Sequence, residues 1–252
     1  MFRKSFLPVS LIVGILIIWE LSSRILAIPT WVLPAPTVII QEAINGWSNY
    51  QHHILSTVFL TVSGFAIGVS VGLLIAIMLH LMPKIREALY PLLIMSQNIP
   101  IIVLAPLLVI WFGFGVTPKL LIITLVCFFP VAVSTIDGLR HTNPELIHYM
   151  KMAGATKKQI FTKLELPHAV PQMFSGLKIS ATYSVMGAVI SEWLGANKGI
   201  GVYMTLASSS FRTDRVFVAI LFIMILCLIF FAIIIAAEKI ILKWHPGKGE
   251  QS

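Results

Sequence analysis

Residues 216–241 read VFVAILFIMILCLIFFAIIIAAEKII, and from Val216 to Ala237 none is charged. A bilayer core about 30 Å thick needs about 20 apolar residues of helix at 1.5 Å each, so this run reads as a transmembrane helix. Working outward, residues 8–28, 57–81, 89–112, 118–139 and 172–194 pass the same test. The chain is 252 residues long, 58% hydrophobic and only 11% charged, far below the roughly 25% charged of soluble domains. These observations predict an all-α polytopic membrane protein with six transmembrane helices. They place it in one transmembrane domain over residues 1–252, with its core at 57–241. The first run follows Arg3 and Lys4 but is long, carries Trp19 and Glu20 and has no small-residue cleavage pattern, so it reads as a retained helix.

Six spans put both termini on one side, and positive charge chooses which. With the termini cytoplasmic, the inner segments hold Arg3, Lys4, Lys84, Arg86, Arg140, Lys151, Lys157, Lys158, Lys163, Lys178, Lys239, Lys243 and Lys248. Only Arg24, Lys119, Lys198, Arg212 and Arg215 are left outside, as the positive-inside rule asks. The net charge of +8 is thus topological, and no basic patch with interleaved aromatics points to nucleic acid. Cys127 and Cys227 both lie in apolar runs and read as packing residues. His52 and His53 are neighbours in an outer loop, pointing apart, and no metal site is expected of them. Glu20 and Arg24, spaced i,i+4, can neutralise each other on one helix face.

The spans have uneven faces. Gly64, Gly68 and Gly72 recur every four residues beside Thr57 and Thr61, a stripe that lets a second helix approach closely. Ser96, Gln97, Asn98, Pro100 and Pro106 interrupt the third span, and broken polar helix is tolerated in a membrane only against protein or a water-filled cavity. Ser180, Ser184, Gly187 and Ser191 line one face of the fifth, flanked by Tyr183 and followed by Glu192; this stripe suits either helix packing or a solute path. Gln97, Asn98, Tyr183, Ser184 and Glu192 are the candidate path residues.

Residues 140–171 form a loop too long for a plain connector, so structure of its own is expected. Asn143, Pro144 and Glu145 are a helix start, with Asn as N-cap, Pro in the first position and an acid in the first turn. Gly154 suits a helix C-cap, and Thr156 with Gln159 makes a capping box that opens a second short helix. Ile160, Phe161 and Leu164 form the apolar face of that helix, with Ile160 and Phe161 as anchors for a partner and Pro167 as its limit.

Gly154, nine further residues and then Leu164-Glu165-Leu166-Pro167 resemble the second half of the EAA signature of binding-protein-dependent ABC importer permeases. His148, Tyr149 and Met150 stand where that signature has Glu-Ala-Ala, a departure at the acidic contact to the ATPase. Ala105-Pro106-Leu107-Leu108, Trp111-Phe112-Gly113, Asp137-Gly138-Leu139-Arg140, Ser175-Gly176-Leu177-Lys178 and Glu192-Trp193-Leu194-Gly195 are similar to the nitrate, sulfonate, taurine and thiamine-precursor branch. The resemblance implies a type I importer permease of the bacterial cytoplasmic membrane. Its coupling loop would comprise His148, Tyr149, Met150, Gly154, Ala155, Ile160, Phe161, Leu164, Leu166 and Pro167. It also implies the partners: a second permease copy, an ABC ATPase, an external solute-binding protein and membrane lipid. ATP and Mg would bind on the ATPase, because this chain has no Gly-rich phosphate loop of the G-x-x-x-x-G-K-[ST] type and is not expected to be an enzyme or to carry a cofactor.

Two other classes fit less well. An ion-driven secondary transporter would show internal repeats and paired ionisable residues deep in the membrane, and a structural subunit would not need a capped two-helix loop. Within the branch, residues 181–190 and 213–217 are more similar to permeases for pyrimidine precursors of thiamine, such as formylaminopyrimidine or hydroxymethylpyrimidine, than to those for aliphatic sulfonates, taurine or nitrate. The third and fifth spans offer no cation for an anion except Lys178 at one end. The charge bias predicts that a cysteine at Lys157 is labelled by an impermeant thiol reagent only from the cytoplasm and one at Lys198 only from outside. Labelling of both from one side would contradict the six-span topology.

Overall fold

The computed structural model describes residues 2–243, with side chains from residue 9 onward. Every regular element among them is helical. In chain order they are α1 (Phe2–Ile25), α2 (Pro36–Asn45), α3 (Trp47–Leu81), α4 (Pro83–Ser96), α5 (Ile101–Phe112), α6 (Val116–Arg140), α7 (Pro144–Met152), α8 (Lys157–Ile160), a π turn (Phe161–Glu165), α9 (Leu166–Trp193), α10 (Ile200–Ser209) and α11 (Thr213–Ile241). This is the all-α polytopic membrane architecture that the hydropathy predicts. The helices α3, α6 and α11 and the unbroken run Lys157–Trp193 are each long and apolar enough to cross a membrane, and α4 with α5 makes a fifth candidate. Helix α1, with 24 residues, reaches about 36 Å and turns Leu11, Ile12, Ile15 and Ile18 outward. Of the charges used for orientation, Lys248 and the side chains of Arg3 and Lys4 lie outside the described residues.

Two elements depart from the sequence expectations, and the expected break of the third span proves sharp. The third span is two helices meeting at 99°, because Gln97 to Pro100 leave the helix and Pro100 has no N–H to continue it. Helix α3 begins at Trp47 rather than residue 57, so His52 and His53 lie on a helix and not in a loop. Their rings, expected to point apart, are 4.1 Å from each other. Pro167 does not limit the loop's second helix. The N–H of Leu166 reaches back to the carbonyl of Phe161, and this wider turn precedes the proline whose ring would crowd the carbonyl four residues before it. The chain is therefore continuous helix from Lys157 to Trp193.

Helices α3, α6 and α9 form the centre. A methyl group at Gly64 would lie 2.5 Å from Ile123, and one at Gly68 equally close to the Cβ of Cys127, so the glycine stripe is where α3 meets α6. Ile123, Cys127 and Ala188 are fully buried along that seam. Peripheral elements are held by polar ties. Arg24 and Glu20 pair at 2.5 Å, and the Glu20 carboxylate also accepts from the Thr37 amide at 3.1 Å, joining α1 to α2. Arg215 donates to Glu42 at 2.8 Å and joins α11 to α2, and Lys178 pairs with Glu238 at 2.7 Å between α9 and α11.

Gly68→Val should lower the melting temperature of the detergent-solubilised protein, since overpacking a seam costs about 1–3 kcal/mol. Gly14→Val, at a position with nothing within 4 Å, is the control and should melt near the parent. Equal melting of both variants would show that the stripe does not hold α3 to α6.

Candidate translocation cavity and docking loop

The break between α4 and α5 opens onto a cavity of about 460 Å³. Ser96, Gln97 and Pro100 line it from the break, Phe128 and Phe129 from α6, and Tyr183 and Met186 from α9. None of its lining residues is charged. The wall is thus largely apolar and aromatic, with an amide, a hydroxyl and a phenol supplying donors and acceptors, the usual make-up of a small-molecule site. Of the five residues expected on the path, Gln97 and Tyr183 line this cavity. Asn98 is exposed but is not part of the lining.

Ser184 and Glu192 lie elsewhere. Ser184 is fully buried and donates to the Ala181 carbonyl at 2.8 Å, Ser180 donates to that of Cys127 at 2.6 Å, and Ser191 to that of Ala188 at 2.7 Å. Most of the small polar stripe of α9 is therefore helix packing, and only Gly187 also borders the cavity. Glu192 is 1% exposed and closes a buried clasp. Its carboxylate accepts from the Thr57 hydroxyl at 2.7 Å and the Gly201 amide at 2.8 Å. The Ile200 amide donates to Thr57 Oγ1 at 2.8 Å and the Gly199 amide to His53 Nδ1 at 3.0 Å. Three amides at the start of α10, which helix geometry leaves unpaired, are thus satisfied by α3 and α9. Composition flags Glu192 as unusual in an apolar span, but its side-chain partner Thr57 is far away in the chain.

The loop after α6 is built from its caps. Asn143 Oδ1 accepts from the Glu145 amide at 2.8 Å, with Pro144 in the first turn. Gly154, at φ +80°, ends α7: its amide donates to Lys151 O at 3.0 Å, and that of Ala155 to Met150 O at 2.9 Å, the paired bonds of a Schellman motif. Thr156 and Gln159 complete the capping box that starts α8. Both helix ends at this corner are therefore fixed by local bonds, and α7 with α8 makes a capped helical hairpin.

The apolar face expected of the second helix is not the exposed one. Ile160 is only 5% exposed and faces the bundle, and the ring of Phe161 lies 5.8 Å from that of His80 on α3. Leu164, Leu166 and Pro167 are half-buried on the same run. Instead α7 presents Leu146, Tyr149 and Met152 outward, each at least half exposed. His148 is exposed beside them and Met150 is half-buried. The sequence alone does not show which side of so short a helix the bundle covers.

Residues 68–239 match the family of inner-membrane components of binding-protein-dependent transport systems. A formylaminopyrimidine transport permease from Halalkalibacterium halodurans is 35% identical over 94% of this chain and 95% of its own. A riboflavin transport system permease from Chloroflexus aurantiacus is 29% identical over 96% and 90%. A putative aliphatic sulfonates permease from Bacillus subtilis is 29% identical over 92% and 84%. Relatives of this kind act with an ATPase and a solute-binding protein and are not themselves enzymes. The helical bundle, its four long apolar helices and this match together show that the chain belongs to that family and is a multi-pass permease subunit of an ABC importer.

Proposed function

We propose that the importer carries a small aminopyrimidine, a neutral planar ring such as formylaminopyrimidine, for use in thiamine synthesis. The uncharged, aromatic lining of the cavity is the observation that favours this reading. Tyr183, Phe128 and Phe129 offer ring faces, Gln97 offers both donors and acceptors to the edge of a heterocycle, and the Ser96 hydroxyl, which donates to Leu93 O at 2.8 Å, offers an acceptor. A sulfonate would draw a cation or a set of inward amides to the wall, and the lining contains no Lys, Arg or His. The name of the relative at 35% identity points the same way, while the sulfonate and riboflavin relatives keep other solutes in play. A strain unable to make the thiamine pyrimidine, given limiting formylaminopyrimidine or hydroxymethylpyrimidine, should grow only with this gene. Growth without it, together with loss of growth on an alkanesulfonate as sulfur source, would replace the pyrimidine with the sulfonate.

The α7–α8 hairpin is the ATPase-docking element in this reading, facing the cytoplasm with Leu146, Tyr149 and Met152 toward the partner. Gly154 holds its corner in the left-handed region, which costs a β-branched residue about 1–2 kcal/mol. Gly154→Val should therefore leave insertion intact and weaken ATPase copurification about tenfold, with uptake falling alongside. Gly154→Asn, which tolerates this conformation, should stay near the parent. Normal copurification of the Val variant would remove the hairpin as the docking element.

A further inference from the structure

The hairpin is joined to the bundle without a linker, and one polar contact stands at the joint. Glu165, last residue of the π turn, lies 2.9 Å from Nε2 of His80, in the last turn of α3. Both side chains are largely shielded, at 14% and 17% exposure for His80 and Glu165. The other ring nitrogen of His80, Nδ1, is buried with no hydrogen-bond partner among the described residues, so its polar contact to Glu165 and its ring contact to Phe161 both come from the π turn.

The segment just beyond His80 gives the contact its meaning. Two residues on, Met82 ends α3, and Pro83 starts α4, which runs to Ser96 and the break at Gln97 in the cavity wall. Along the way Tyr90 and Leu93 of α4 pack on Leu79 and Ile136, and the Tyr90 hydroxyl donates to Asp137 at 3.0 Å. Helix α4 has no fully buried residue. Within this chain it thus runs, without a buried anchor, from the His80 corner to the cavity.

We propose that the Glu165–His80 pair positions α4 by transmitting displacement of the docking hairpin to the cavity wall at Ser96 and Gln97. The pair touches neither solute nor nucleotide. This inference rests on the docking reading of the hairpin, and its test separates the two. In the full importer, purified with its ATPase and binding protein, a single reactive cysteine replaces Gln97 and is labelled with a maleimide, with and without Mg-ATP and vanadate. No solute need be known. In the parent chain ATP should change the labelling rate about fivefold or more, the range of an ordinary coupling energy.

His80→Ala and Glu165→Ala should each retain the ATPase on copurification and retain hydrolysis, yet lose most of that ATP-dependent change. The exchanged pair, His80→Glu with Glu165→Lys, should restore it. An unaltered response in both single variants would overturn the proposal, as would loss of the ATPase from them, which would make the pair a docking contact. Single variants that lose the response without rescue by the exchanged pair would assign the effect to packing and overturn it too. No ATP-dependent change in a parent chain that holds its ATPase would also overturn it, whereas a parent that holds no ATPase through the hairpin would fail the docking reading itself.

Discussion

In hydrocarbon a backbone N–H or C=O without a partner costs several kcal/mol, and this chain is shaped by where that demand is met in unusual ways. Most residues meet it in helix. Three places among the described residues meet it in other ways. At the start of α10 the amides of Gly199, Ile200 and Gly201 take His53, Thr57 and Glu192 as partners. In the π turn Leu166 reaches Phe161. Around residues 97–100 turn bonds from Gln97, Asn98 and Ile99 to Ile94, Met95 and Ser96 close the end of α4, and the chain then turns into a cavity. His53, Thr57, Ser180 and Glu192 sit at these places or against a neighbouring helix's carbonyl, so their positions follow from backbone accounting before any question of solute arises.

Much of this is written in local sequence. The apolar runs mark the spans, the glycine spacing of α3 marks its seam with α6, and every cap of the loop is readable because N-caps, capping boxes and glycine C-caps depend on neighbours only a few residues away. The spacing of Ser, Gln, Asn and Pro in the third span also shows that it is broken. What it does not show is the 99° angle, which is set by packing of α5 on α6 and not by the break alone.

Elsewhere the local signal misleads for identifiable reasons. Pro167 reads as a helix limit because a proline removes a bond and crowds the preceding turn, and only the π turn next to it, invisible to periodicity, relieves both. Ser184 and Glu192 read as path residues because they are polar in an apolar span. Their roles depend on Ala181 in the same turn and on Thr57, which lies on another helix. Ile160 and Phe161 read as exposed anchors because an isolated amphipathic helix has no stated outside. The bundle claims that face, and the adjoining helix α7 supplies the exposed one.

The continuity of α8, the π turn and α9 gives a rotational meaning to the nine residues between Gly154 and Leu164. Each residue added to or removed from a helix turns everything beyond it by about 100°, and a π turn is such an added residue absorbed into the coil. The azimuth of the hairpin about the α9 axis is therefore fixed by residue count. Lengthening or shortening the part of this stretch beyond Gln159 by one would swing Leu146 and Tyr149 to a different bearing while leaving the caps of the loop in place. Spacing here acts as a phase setting between a bundle and whatever its hairpin meets.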